Sequence, residues 1–222
     1  MTTQDGFQTT SPTGFSTALR LRLIGPGGLY NLGNAFGLAT GLGFYLAATP
    51  DGSDVLLAYF TGSVASTLMT LSMLVFFWGG EVYHRAFNTE GDLDFGLLRR
   101  GDVLSGFGAL LLGGGLMALG HPVLAATAGL AHAIGKFGSG WSLPGGWWPA
   151  RLPDFWRSLV LVSRVPAIVA ALSALWLAQT TGPLLSAAGL TPISLLLCYG
   201  LWLAADLILM RSASAVAASA AA

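Results

Sequence analysis

Residues 155–179 read FWRSLVLVSRVPAIVAALSALWLAQ, a long apolar run interrupted by Arg157 near its start and Arg164 inside it; residues 191–210 read TPISLLLCYGLWLAADLILM, broken only by Asp206. At 1.5 Å per residue, either run as a helix reaches across the roughly 30 Å hydrocarbon core of a bilayer. Neither shows the in-out alternation of a barrel strand of about ten residues. Hydrocarbon offers no water to a stray backbone N–H or C=O, so runs of this length and pattern must be helices. These two stretches set the fold class, and four similar ones lie upstream.

Leu23 to Ala48 opens with Gly25-Pro26-Gly27-Gly28, where a proline near a helix start costs no internal bond. Val55 to Trp78 follows the turn Thr49-Pro50-Asp51-Gly52-Ser53-Asp54. Asp102 to Gly120 and a shorter run ending near Gly135 are joined through His121-Pro122. That last pair is short for a bilayer and is expected to tilt little or to thin it. With 54% apolar residues, 9% charged residues and a mean hydropathy of +0.68, a water-soluble fold of this length is excluded. The expectation is an all-α integral membrane protein, a six-transmembrane-helix bundle of three helical hairpins. Its organisation reads as a polar cytoplasmic N-terminal segment (1–22), a transmembrane domain (23–211) and a disordered Ala/Ser tail (212–222).

Position of charge gives the orientation. All ten cations, Arg20, Arg22, Arg85, Arg99, Arg100, Lys136, Arg151, Arg157, Arg164 and Arg211, fall near the N-terminus, the loops after the second and fourth runs, or the C-terminus. By the positive-inside rule both termini are cytoplasmic, in the inner membrane. Trp78, Trp141, Trp147, Trp148 and Trp156 gather on the same side, as an interfacial belt does. The first residues are polar, without a basic segment leading into a short apolar core, so the first span itself is expected to be the targeting signal. Zero formal net charge gives no basic surface for nucleic acid, and the single cysteine, Cys198, allows no internal disulfide.

Arg164 and Asp206 are the most informative residues, because an unpaired charge inside hydrocarbon is costly. Counted from Arg157 and Arg211, they lie about 10 Å and 7–8 Å from the same face, so a buried ion pair between the last two spans is expected. Such a pair serves either as a structural lock or as part of an ion or proton relay. His132 shares a helix face with Ala128 and Lys136; it is a candidate ligand for haem or chlorophyll, or a histidine bonded to a neighbouring helix. Asn31, Asn34, Ser63, Thr67 and Thr70, with Ser66 beside them, are candidates for a polar cavity in the cytoplasmic half, or for hydrogen bonds that glue helices. Gly33, Gly37 and Gly41, and Ala125, Gly129 and Ala133, recur every four residues and form two packing seams. Glu81, Glu90, Asp92, Asp94 and Asp102 read as a solvated mixed-charge face, and Lys136 as a residue at a span end.

No Walker loop, zinc-protease His-Glu pair, Gly-x-Ser-x-Gly elbow or dinucleotide fingerprint is present, so nothing points to an enzyme. The leading expectation is a non-catalytic accessory subunit of a larger inner-membrane, energy-transducing complex, packing against lipids, pigments and other membrane subunits. A small polytopic transporter or channel is the alternative, and a cofactor protein built on His132 a further one. None requires a bound cofactor in the first reading.

Overall fold

The computed structural model describes residues 25–48, 62–87, 93–145, 153–182 and 187–220. The segment 1–22, the turn Thr49 to Asp54, the start of the second run at Val55, the acids Glu90 and Asp92, and Trp147 and Trp148 lie outside these residues. Among the described residues the chain is helical, with no strand. The helices are α1 (Pro26–Ala48), α2 (Val64–Phe87), α3 (Phe95–Ala118), α4, α5 (Pro153–Val162), α6 (Val165–Thr181) and α7 (Ala187–Ala220). Helix α4 is composite: a first turn, Pro122–Leu124, a π-helical stretch, Ala125–Ala131, and an α-helical end, His132–Trp141. Four stretches, Val64–Phe87, Phe95–Ala118, Asp154–Thr180 and Leu190–Ser212, are long and apolar enough to cross a membrane.

Local chemistry explains where several helices start. Ser63 precedes α2: its backbone N–H donates to Ser66 Oγ at 3.0 Å while Ser66 N–H donates to Ser63 Oγ at 3.1 Å, a reciprocal cap. Asp94 caps α3 by accepting from the Leu97 N–H at 2.9 Å. Between α3 and α4 the chain turns at Gly120, whose φ of 80° favours glycine, and Pro122 then opens the next helix. The span 154–180 is interrupted at Ser163 and Arg164, because Pro166 has no N–H to offer and its ring crowds the carbonyl of Val162. Arg164 N–H reaches only the Leu161 carbonyl at 3.3 Å, and a fresh helix begins with Ile168 N–H on the Arg164 carbonyl.

Four boundaries differ from the sequence reading. Helix α2 continues past Trp78 to Phe87, α3 begins at Phe95 rather than Asp102, and α4 runs past Gly135 to Trp141. The glycines that look like helix ends are packing sites. A methyl on Gly101 would strike the Tyr83 ring, one on Gly138 the Trp156 ring, and one on Gly80 the side chain of Asn31. The third and fourth runs are therefore not short. Helix α7 also extends through Ala220, so the Ala/Ser stretch read as a disordered tail prolongs the helix.

The helices follow one another around a closed ring: α1 packs on α2, α2 on α3, α3 on α4, α4 on α5, and α6 on α7, which returns to α1. An aromatic cluster fills the middle. Tyr30 stacks on Trp202 (ring centroids 5.9 Å) and meets the edge of Tyr83 (5.3 Å), and Phe76 tilts against Trp202 (4.9 Å). Beside these rings lies the most polar part of the interior.

Candidate functional site: a buried charge network

Four ionised side chains from separate parts of the chain meet here, each at most 5% exposed: Asp102 of α3, Lys136 of α4, Arg164 at the break before α6, and Asp206 of α7. Lys136 lies between the two carboxylates, 3.1 Å from Asp102 Oδ1 and 2.6 Å from Asp206 Oδ1. Arg164 Nη2 pairs with the other oxygen of Asp206. Two cations offset two anions, so the cluster is neutral as a whole, the condition under which buried charge is tolerated in a low-dielectric interior.

Hydroxyls complete it. Lys136 Nζ spends its third N–H on Tyr83 OH at 3.0 Å, and that hydroxyl donates to Asp102 Oδ1 at 2.6 Å while accepting from Ser105 Oγ at 3.3 Å. All three ammonium protons are thus bound. The ammonium also stands 5.1 Å from the centre of the Tyr83 ring and 5.5 Å from that of Tyr30, within cation–π range. Arg164 lies 6.0 Å from the Trp202 ring centre.

His132 closes the other end. Ser163 Oγ donates to the Val160 carbonyl at 2.9 Å, so its contact with His132 Nδ1 at 3.0 Å must be one in which the ring N–H donates. Nε2 then carries the lone pair, and Arg164 Nη2 faces it at 3.5 Å. Both nitrogens are engaged and the ring is buried, so a haem iron or chlorophyll magnesium has no open approach to it. As a cofactor ligand His132 does not fit its surroundings; it steadies the guanidinium.

The remaining sequence candidates fall into separate places. Asn34 Nδ2 donates to Asn31 Oδ1 at 3.3 Å, and Asn34 Oδ1 accepts from Trp202 Nε1 at 2.9 Å, which ties α1 to α7. Asn31 packs at Gly80, whereas Ser63 and Thr67 sit toward the opposite end of α2, roughly 20–25 Å away by helical rise. Ser63 and Thr67 serve the helix start, with Thr67 Oγ1 donating to the Ser63 carbonyl at 3.0 Å. Among the described residues, Asn31 and Asn34 therefore lie at one end of α2 and Ser63 and Thr67 at the other. The seam glycines meet helices of this chain: Gly33 lies against Trp202, Gly37 against Cys198 and Met73, and Gly129 against Gly113 of α3, with Ala125 and Ala133 buried nearby. Gly41 is partly exposed.

Asp102, Lys136 and Tyr83 are the members that sequence reasoning passed over. In sequence Asp102 reads as part of a solvated face and Lys136 as a span end; in the structure both are interior, because α3 begins two turns earlier and α4 ends more than a turn later. The available signal was the i, i+4 spacing of His132 and Lys136, which commits both to one face.

A small crevice reaches the network, lined by Asp102, Lys136, Ser139, Arg157, Asp206 and Met210 among others. Its volume of about 20 Å³ admits roughly one water molecule. No family model, curated protein or solved structure matches this chain.

Proposed function

We propose that the chain is a six-span inner-membrane protein with both termini in the cytoplasm, acting as a non-catalytic subunit of a larger membrane assembly. Helices α1 and α4 supply the two spans beyond the four that length and hydropathy mark out. One observation carries the functional part: the interior charges neutralise each other and bind four parts of the chain together, α3, α4, the break before α6 and α7, and the crevice beside them, about 20 Å³ among the described residues, is too small for a metabolite. That arrangement suits a lock. The outward face supports a packing role, since Val165, Val169, Leu172, Trp176 and Leu177 of α6 are all at least half exposed and apolar. In a bilayer such a face meets lipid or the helices of other subunits.

The test is purification of the full chain from its own membranes in a mild detergent. Recovery at fixed stoichiometry with other membrane subunits supports the reading, and recovery as a lone monomer with intact fold removes it.

A second reading, proton or ion handling, is favoured by one specific feature. The break at Ser163–Arg164 and the π-helical turn that delivers His132 both lie against the charge network. Irregular backbone at membrane depth is tolerated where protein or a hydrated path covers it, and it often marks functional sites. Arg164 Nε and Nη1 and the Tyr30 hydroxyl also lack hydrogen-bond partners among the described residues, which leaves places for internal water. Proteoliposomes that dissipate an imposed pH gradient faster with the protein than without it support this second reading.

A further inference from the structure

We propose that Asp102 is a proton-accepting site reached from only one face of the membrane, through the crevice between Ser139, Arg157 and Met210. The inference rests on the membrane placement given above but not on the choice between its two functional readings.

Elimination identifies the acceptor. Among the described residues, the titratable or charged groups that face this site are Tyr30 from α1, Tyr83 from α2, Arg99 from α3 itself, His132 and Lys136 from α4, Arg157 from α5, Arg164 at the break and Asp206 from α7. The arginines stay protonated. Lys136 has all three N–H groups bound, so it has neither a lone pair to accept a proton nor a loose one to donate. His132 does not line the crevice, and its lone pair faces Arg164. Asp206 lines it but gives each oxygen to a cation. Asp102 differs, because both bonds the structure gives it end on Oδ1. Its second oxygen is the atom left to take a proton.

Sidedness follows from the lining. Arg157, Ser139 and Met210, with Arg211 next in the chain, lie at the end of the bundle that carries Arg99 and Arg100. At the other end of the network, Ser163 Oγ donates a hydrogen bond to the Val160 carbonyl, where the hydrogen-bonded chain stops among the described residues. A proton from bulk water would cross on the single water the crevice admits and add to Asp102 Oδ2, leaving hydroxide to the bulk. The network then holds two cations and one anion. Lys136 keeps Asp206 and Tyr83 but loses its charged partner on α3, so protonation loosens α3 from α4 and α7.

Infrared difference spectra of the full-length protein in liposomes test this, recorded as external buffer is stepped from neutral to acid. The expected result is a protonated-carboxyl band in wild type that exceeds the Asp102→Asn band by one carboxyl equivalent. No excess overturns the proposal. Because Asp102→Asn can compromise folding, Ser139→Phe provides a second arm: it plugs the crevice without touching a charge. It should slow the appearance of the same band at least tenfold in stopped-flow recording, and an unchanged rate overturns the assigned route. Sidedness is read in vesicles with a strongly buffered lumen, sorted by orientation: acid on the Arg157 face should evoke the band and acid on the other face should not, while an equal response from both overturns it. Retention of the protein in membranes after alkaline carbonate washing keeps the membrane reading in place whatever the infrared result.

Discussion

Lys136 illustrates how a single residue can be misjudged from its neighbours in sequence and yet sit at the centre of a structure. Surrounded by Gly135, Gly138 and Gly140, it resembles a cation at the ragged end of a span. Those glycines instead admit Val160, Trp156 and Asp102 from adjacent helices, and the lysine is drawn inward with them. Arg164 and Asp206 were easier to single out, since a charge within a long apolar run has nowhere else to go. Removing one partner from a buried pair costs about 3–5 kcal/mol, because the other is left uncompensated. Lys136→Met should therefore destabilise the detergent-solubilised protein by about that amount, measured by thermal or denaturant unfolding. Lys136→Met combined with Asp102→Leu should cost clearly less than the two single changes added, as residues in one network do not act independently. An additive double variant would show that Asp102 and Lys136 do not depend on one another. For His132, whose two nitrogens are both engaged, protein purified from a haem-producing host should show no Soret band, and His132→Ala should leave its visible spectrum unchanged.

At the scale of the element, helix positions were legible where hydropathy is continuous and misplaced where glycine interrupts it. Glycine at a helix end and glycine under a neighbouring side chain look the same in a sequence, because both are read as gaps in an apolar pattern. Only the partner helix distinguishes them. The break in the span 154–180 was foreshadowed by Pro166, whereas the π-helical turn of α4 has no sequence mark at all. Two glycines separate the packing role from intrinsic propensity. A methyl group at Gly129 would collide with the Gly113 backbone, which cannot rotate out of the way. Gly200, on the exposed face of α7, would gain a methyl group in open space. Gly129→Ala should accordingly destabilise the protein by about 1–3 kcal/mol, the ordinary cost of overpacking. Gly200→Ala should be neutral or stabilise by up to about 1 kcal/mol, from helix propensity. An unfolding midpoint for Gly129→Ala that rises, or stays unchanged, as that of Gly200→Ala does would mean that the α3–α4 contact is not close.

For the whole molecule, the physical question is whether the ring of helices carries its cations on one side of a bilayer. The proposed topology requires that it does, and the site is consistent with it: Asp102, Lys136, Arg164 and Asp206 meet, so α3 and α6 run in register with α4 and α7. Cys198 makes the test simple, because it is the one cysteine in the chain and is buried, so it is silent to a membrane-impermeant maleimide in the folded protein. Arg100→Cys and Arg211→Cys each replace an exposed residue near the crevice end of the bundle, while His121→Cys and Gly182→Cys replace exposed residues at turns of the other end. In intact cells the first two should resist labelling until the membrane is permeabilised, and the last two should label at once. Labelling of Arg100→Cys and Arg211→Cys from opposite faces would require an odd number of crossings between them. Helices α3 to α7 could not then share one register, and the four charges would have no common depth at which to meet.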